Sequence, residues 1–361
     1  MSLIKTIFIN VLVFCALMFL LMLAPPTLKV VMDAFRKPSS DMFAKTARMP
    51  AFEGYDWAQQ SLWETYLVKL RYRDFVVQRG TDIAGEVVNV VDGVRRTVGT
   101  PVEGAGAPVW FFGGSTTWGY GVSDEFTYPS MFAQATGRHV TNYGEGAYTS
   151  RQSLAYLQGV YLLNPPGNRT VVFYDGVNDL MQGCNPTISS INQTAHEPRF
   201  RAATHYLEEP FTYRRLFRQL MDFIPVVERY LHLDEPEIFR FECAEDPERA
   251  RRVARNLVTI WENAQRLVES NGDTFLAIYQ PASFISTNTH PVLPDHPYND
   301  ELLHEYQAVH PLVLEELAKS DLPYIDLSHI YDDCQNCYYD HVHAGPFGHQ
   351  RLVDALIDVV P

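Results

Sequence analysis

A serine after an apolar run and an aspartate–histidine pair near the C-terminus supply the side chains that nucleophilic acyl chemistry requires. Ser115 follows the apolar run 109–112, and Asp340 precedes His343 by three residues. A serine hydroxyl is a weak nucleophile at neutral pH, so it needs an adjacent base whose tautomer a third group fixes. We therefore expect Ser115 to attack, His343 to accept its proton and Asp340 to orient the imidazole.

Each motif also has an interpretation that does not involve a catalytic serine. The loop 113–117 could cradle a phosphate through its backbone amides, as in flavodoxin-like proteins. The Asp-x-x-His pair could be a surface turn or, with His341, part of a metal site. Short motifs taken singly are often false positives, but the presence of both in this order favours catalysis.

An asparagine and a glycine-rich loop supply candidate donors for an oxyanion. Asn178 follows the apolar run 170–174, so it should lie at the same sheet edge as Ser115. A carboxamide there can donate to the oxyanion of a tetrahedral intermediate, although Gly-Val-Asn-Asp could also be an ordinary turn. The glycine-rich loop before a helix near Arg151 could supply a further backbone donor.

These blocks resemble those of the SGNH (GDSL-like) hydrolase superfamily, in which Ser, Gly, Asn and His come from separate blocks. The resemblance spans roughly residues 85–361 and rests on the segments 112–119, 175–179 and 340–343. It implies a flavodoxin-like three-layer α/β fold, the SGNH hydrolase fold. It also implies an oxyanion hole that includes the Ser115 N–H.

One block departs from the family pattern. When Asn142 is aligned with the family's asparagine, the oxyanion glycine falls on Ala147, and Gly146 lies one residue early. The donor is a backbone N–H, so alanine can supply it where its φ and ψ are allowed. Both Ala147 and Gly146 are therefore candidates, beside Ser115 and Asn178.

The apolar pattern independently predicts a parallel sheet wound by helical crossovers. A hairpin over 87–97, with Asp92-Gly93 as its turn, should lead into the first long strand. The stretch of about 181–246 is predicted to cap the active site, with a helical embellishment packed elsewhere as the alternative. Apolar runs lie at 108–112, 139–143, 170–174, 274–279 and 323–327, and helical patterns at 247–271, 299–320 and 346–359.

The N-terminal region has a different character. Residues 7–24 are apolar apart from Asn10 and would span about 27 Å as a helix, which favours a transmembrane anchor over a cleaved signal peptide. We expect an anchor over 1–31, a juxtamembrane helix and lead-in hairpin over 32–100, and a catalytic domain over 101–361. An amphipathic helix within 50–80 would pack on that domain or lie at the lipid interface.

Charge and cysteines bear on location and partners. The net charge of −14 argues against nucleic acid. Basic residues after the apolar segment favour a cytoplasmic domain, but four cysteines outside it could form two disulfides in an oxidising compartment. We expect a periplasmic or extracellular domain. The cysteines are Cys184, Cys243, Cys334 and Cys337; the last two could brace the loop carrying Asp340, or form a metal-binding or redox C-x-x-C.

The sequence thus predicts a serine-dependent ester hydrolase or O-acyltransferase, with O-acetyl groups on a cell-surface glycan as a candidate substrate. Neither a metal nor an organic cofactor is expected. Expected partners are the O-acylated substrate, membrane lipid through residues 7–24 and a membrane protein. Two alternatives are a non-catalytic membrane-tethered subunit that binds a glycan or a membrane partner, and a flavodoxin-like phosphate or flavin binder.

Overall fold

The computed structural model describes most of residues 40–361. Those from Phe43 onward belong to one compact unit, 43–200 and 240–361, and a second unit comprises 1–42 and 201–239. The predicted anchor and most of the predicted cap lie outside the described residues. No helix in the described part is long and apolar enough to cross a membrane. The described residues are 40–185, 241–285 and 299–361, with Ile9, Asn10, Val13, Phe14 and Glu197.

The secondary structure alternates strands with helices after a β-rich lead-in. The strands are, in chain order, β1 (Leu70–Arg73), β2 (Val77–Gly80), β3 (Ile83–Ala84), β4 (Asn89–Val91), β5 (Val94–Arg95), β6 (Val109–Gly113), β7 (Val140–Asn142), β8 (Thr170–Asp175), β9 (Thr274–Tyr279) and β10 (Tyr324–Asp326). In the ranges 40–185, 241–285 and 299–361 the α-helices are α1 (Ser40–Ala47), α2 (Ala58–Leu67), α3 (Ser115–Trp118), α4 (Tyr128–Thr136), α5 (Ser150–Leu163), α6 (Val177–Cys184), α7 (Pro247–Ser270), α8 (Asn299–Leu317) and α9 (Pro346–Leu356).

An eight-stranded sheet with the order β10-β9-β8-β6-β7-β5-β4-β3 forms the centre. Its first five strands in that order are parallel, and the last three pair antiparallel. Numbered along the chain, the parallel strands lie in the order 2-1-3-4-5, which is the flavodoxin-like arrangement. The predicted α/β fold is confirmed, and each of the five predicted apolar runs overlaps one parallel strand.

The sheet is buried on both faces because its strands alternate their side chains between two cores. On β6, Phe112 packs into a cluster with residues of α5, α6, α7 and α8. Its neighbour Phe111 packs on the other face, against α4 and α9. Two covered faces explain why the central strands read as continuous apolar runs.

The predicted lead-in hairpin is confirmed. Strands β4 and β5 pair antiparallel, with Val91 opposite Val94. The two residues between them, Asp92 and Gly93, have φ values of 51° and 70°. Positive φ at both central positions is the signature of a type I′ turn, which Asp-Gly favours.

The segment 50–80 contains a shorter helix than its pattern suggested. Helix α2 covers only Ala58–Leu67, and residues 70–80 form the ribbon β1-β2, in which Leu70 lies opposite Gly80. The chain reverses between these strands, where Phe75 has a φ of 65°. Apolar spacing did not reveal this reversal, because a left-handed residue other than glycine leaves no compositional signal.

Helix α2 packs against the central domain. Leu62 is buried in a cluster with Phe52 and Tyr339, and Tyr339 lies four residues before His343. Of the two alternatives left open by the sequence, the structure therefore has this helix on the domain.

Both cysteine pairs form disulfides. One joins Cys184, the last residue of α6, to Cys243. The other joins Cys334 to Cys337 in the loop before Asp340. The first closes a loop with a sequence separation of 59 residues, and the second a separation of 3.

The longer closed loop should contribute more stability, because it restricts the unfolded chain more strongly. We expect Cys184→Ser/Cys243→Ser to lower the free energy of unfolding by about 4 kcal/mol, and Cys334→Ser/Cys337→Ser by about 2 kcal/mol. Denaturant titration without reductant measures both. Equal losses in the two double variants would contradict this account.

Candidate active site

Ser115 lies at the carboxyl edge of the parallel sheet. Strand β6 ends at Gly113, and Ser115 begins the short helix α3. The carboxyl edge is where open α/β sheets bind ligands. Gly114, between Gly113 and Ser115, lets Asn178 approach the backbone closely, because a Cβ on Gly114 would lie 2.6 Å from Asn178 Nδ2.

A chain of hydrogen bonds joins the three residues that the sequence singled out. His343 Nε2 lies 2.8 Å from Ser115 Oγ, and His343 Nδ1 lies 2.6 Å from Asp340 Oδ2. The other carboxylate oxygen, Oδ1, accepts from the backbone N–H groups of Val342 at 2.9 Å and His343 at 2.7 Å. Asp340 is thus fixed by its own turn while it holds the imidazole.

The Asp340 carboxyl is electrostatically suited to remain ionised. Burial alone would raise its pKa, but the adjacent His343 imidazole and amide, together with His341, lower the pKa to about 2. An ionised carboxylate selects the imidazole tautomer that carries its proton on Nδ1. In that tautomer Nε2 is free to accept the Ser115 hydroxyl proton.

Two tyrosine rings enclose the His343 ring. Tyr339 stacks on it with centroids 5.9 Å apart and an interplanar angle of 15°, and Tyr120 lies at 5.1 Å and 31°. The Tyr339 hydroxyl donates to the Tyr120 carbonyl at 2.7 Å. Contact with two aromatic rings restrains the orientation of the imidazole.

Asn178 and the loop after β7 meet at Ser115. Asn178 lies in the first turn of α6, and one N–H of its Nδ2 donates a hydrogen bond to the Tyr148 carbonyl at 2.9 Å. The Gly146 N–H donates to Glu145 Oε1 at 2.9 Å and is therefore engaged. The Ala147 N–H has no hydrogen-bond partner among the described residues, and Ala147 has a φ of 60°.

A buried carboxyl ties the two helices next to this loop. Asp179 follows Asn178 and accepts from the Ser150 hydroxyl at 2.5 Å and from its N–H at 3.1 Å. Burial raises the pKa of Asp179 to about 6. Burial and the nearby Asp179 also raise the pKa of Asp175. The first residue of α5 is thereby linked to the first turn of α6.

Ser115, His343, Asn178 and Ala147 line a pocket of about 520 Å³. Part of its wall comes from the lead-in, a contribution that no sequence pattern indicated. Because these residues lie where α2 changes to β1, neither helical nor strand periodicity marks them. The wall residues from the lead-in are Thr65, Tyr66, Val68, Lys69 and Leu70, and the others include Trp118, Tyr120, Glu145, Met181, His341 and Val342.

A protein-family model matches about two thirds of the chain. The sequence model of the GDSL-like lipase/acylhydrolase family matches residues 111–351. No curated protein sequence matches the chain.

Several solved structures are similar at low sequence identity. A lipolytic protein of the G-D-S-L family from Veillonella parvula is 13% identical, with 70% of this chain and 98% of that chain covered and a TM-score of 0.42. A GDSL-like lipase from Bacteroides thetaiotaomicron is 15% identical, with 72% and 92% covered and a TM-score of 0.37. An acetylxylan esterase from Geobacillus stearothermophilus is 14% identical, with 73% and 96% covered and a TM-score of 0.36.

The left-handed backbone of Ala147 predicts a gain in stability on substitution by glycine. This conformation costs an L-residue about 1–2 kcal/mol, whereas glycine adopts it freely but loses more entropy on folding. We expect Ala147→Gly to raise the free energy of unfolding by roughly 0.5–1 kcal/mol. The matched control, Ala135→Gly in exposed helix, should lower it by about as much. Losses in both variants would contradict the left-handed conformation.

Proposed function

From its membership of the GDSL-like lipase/acylhydrolase family, we propose that this chain is a serine-dependent enzyme that acts on ester bonds. The proposal rests chiefly on the continuous hydrogen-bond chain from Ser115 through His343 to Asp340. Ser115 and His343 line one pocket together with Asn178 and Ala147. A phosphate or flavin binder would not need an imidazole in contact with the serine.

The reaction begins with attack of Ser115 Oγ on the ester carbonyl carbon. His343 Nε2 accepts the hydroxyl proton, and the Asp340 carboxylate stabilises the imidazolium that forms. When the tetrahedral intermediate collapses, the bond to the leaving alcohol breaks and Nε2 returns the proton to that alcohol. The acyl group is then bonded to Ser115.

Negative charge on the former carbonyl oxygen is stabilised by preorganised donors. We assign this role to the Ser115 N–H, the second N–H of Asn178 Nδ2 and the Ala147 N–H. Preorganised donors in a pocket shielded from water usually provide the largest single contribution to acyl transfer. Gly146 is not among them, because its N–H is bonded to Glu145.

The acceptor that enters next decides between hydrolysis and transfer. Water would release a carboxylic acid, and a sugar hydroxyl would carry the acyl group away as a new ester. We propose O-acyl groups on a cell-surface glycan as the substrate class. The aromatic faces of Tyr66 and Tyr120 in the pocket wall suit packing against a sugar ring.

The proposed location is a periplasmic or extracellular domain tethered by residues 7–24. The two disulfides support an oxidising compartment, because cytosolic thiols are kept reduced. The proposed chemistry uses only side chains and backbone amides, so no cofactor has a role in it.

Labelling with a fluorophosphonate tests the proposed nucleophile. We expect the detergent-solubilised full chain to gain one adduct by intact mass, and Ser115→Ala and His343→Ala to gain none. Ser270→Ala, which removes an exposed serine at the end of α7, should label like the parent. An unlabelled parent, under conditions that label a control esterase, would refute the enzyme proposal.

Turnover of 4-nitrophenyl acetate tests the supporting roles. Asp340→Asn should lower kcat by about 10³–10⁴-fold, because the imidazole loses its ionised partner. Asn178→Ala should lower kcat by about 10²–10³-fold, as expected for one lost oxyanion donor. A parental kcat in either variant would remove that residue from the mechanism. Adding glycan acceptors and measuring acetylated product against free acetate separates transfer from hydrolysis.

A further inference from the structure

The peptide unit between Gly146 and Ala147, two residues that line the pocket, is held by a side chain that does not line it. In a trans peptide the C=O and the following N–H point in opposite directions. The Ala147 N–H and the Gly146 carbonyl belong to the same unit. Gln78, in β2, donates from Nε2 to that carbonyl at 2.9 Å.

We propose that Gln78 is a positioning residue that aims the Ala147 N–H at the oxyanion. This inference rests on the proposed function and extends it to a residue outside the family-matched segment 111–351. Gln78 touches no reacting atom. It acts by fixing the carbonyl end of the peptide whose other end is the donor.

Gln78 is rigid enough for this task. Its side chain is fully buried, and its own carbonyl accepts from the Tyr148 hydroxyl at 2.7 Å. Thus β2 and the loop 145–148 bond each other in both directions. Buried, mutually bonded groups have few alternative conformations, so the peptide plane is fixed before a substrate arrives.

The buried Glu145 carboxylate adds a second connection between the same strand and loop. Its Oε2 accepts from the Gly80 N–H at 2.9 Å, and its Oε1 accepts from the Gly146 N–H at 2.9 Å. Arg79 pairs with the same carboxylate at 3.3 Å. The peptide preceding the Gly146–Ala147 unit is therefore also fixed to β2.

The side-chain oxygen of Gln78 has no partner in the described part of the chain, which indicates that the side-chain N–H is the part of the amide that matters. Gln78 Oε1 is buried and has no hydrogen-bond partner among the residues that the structure describes. A buried polar atom without a partner is destabilising, so an apolar side chain of the same shape would serve packing better. The amide is therefore valuable here for the bond to Gly146, which also polarises the peptide and strengthens its N–H as a donor.

The test replaces the donor while keeping the shape. Gln78→Met preserves length and volume but cannot donate. The matched control is Gln152→Met, which removes another buried glutamine that bonds the lead-in, through the Val76 carbonyl at 2.8 Å, without touching the Gly146 carbonyl. For each we measure kcat and KM for 4-nitrophenyl acetate per fluorophosphonate-titrated site, and the inhibition constant of phenylboronic acid, whose serine adduct carries an oxyanion-like charge.

We expect Gln78→Met to lower kcat per titrated site about 10-fold with little change in KM, and to weaken boronic acid inhibition by a similar factor, as for a misaimed oxyanion donor. Gln152→Met should remain within about 2-fold of the parent on both measures.

Equal values for the two variants would overturn the inference. A lower titratable fraction of Gln78→Met with a parental kcat per site would also overturn it, because the side chain would then only stabilise the fold. A parent without Ser115-dependent turnover would instead refute the proposed function.

Discussion

The change of crossover side at β6 determines where the reacting groups lie. From β6 the chain passes through α4, on one face of the sheet, to β7. From β7 it passes through α5, on the other face, to β8, which borders β6 on its opposite side. The loops after these three strands diverge and leave a crevice. Ser115, Ala147 and Asn178 each follow one of them, so a single topological feature brings together residues distant in sequence.

The local geometry adds what topology alone does not provide. Parallel strands bring their loops to within several ångströms, but hydrogen bonding requires finer placement. Gly114 permits the approach of Asn178, and the Asp340 turn aims the imidazole at Ser115. Each device uses a residue whose type is needed locally: a glycine where a Cβ would collide, and a short carboxylate that bonds its own backbone.

The sequence predicted the parts that obey periodicity or chemical type. The five parallel strands are continuous apolar runs, and Ser115, His343 and Asp340 were recognisable because few residue types perform their chemistry. The lead-in was predicted less well. Its helix stops at Leu67 and a left-handed Phe75 reverses the chain, so a helical pattern overestimated the helix. The long-range bond between Gln78 and Gly146 depends on tertiary packing, which a single sequence does not reveal.

The disulfide at the end of α6 separates the attachment of that helix from the sequence that follows it. Asn178 and Cys184 occupy opposite ends of one short helix, and Cys184 is bonded to Cys243, shortly before α7 begins. The chain segment between Cys184 and Cys243 therefore has its two ends joined covalently. Segments of different length or composition between these points would inherit the same attachment. A change within that segment would therefore leave α6, which carries Asn178, covalently tied to the chain just before α7.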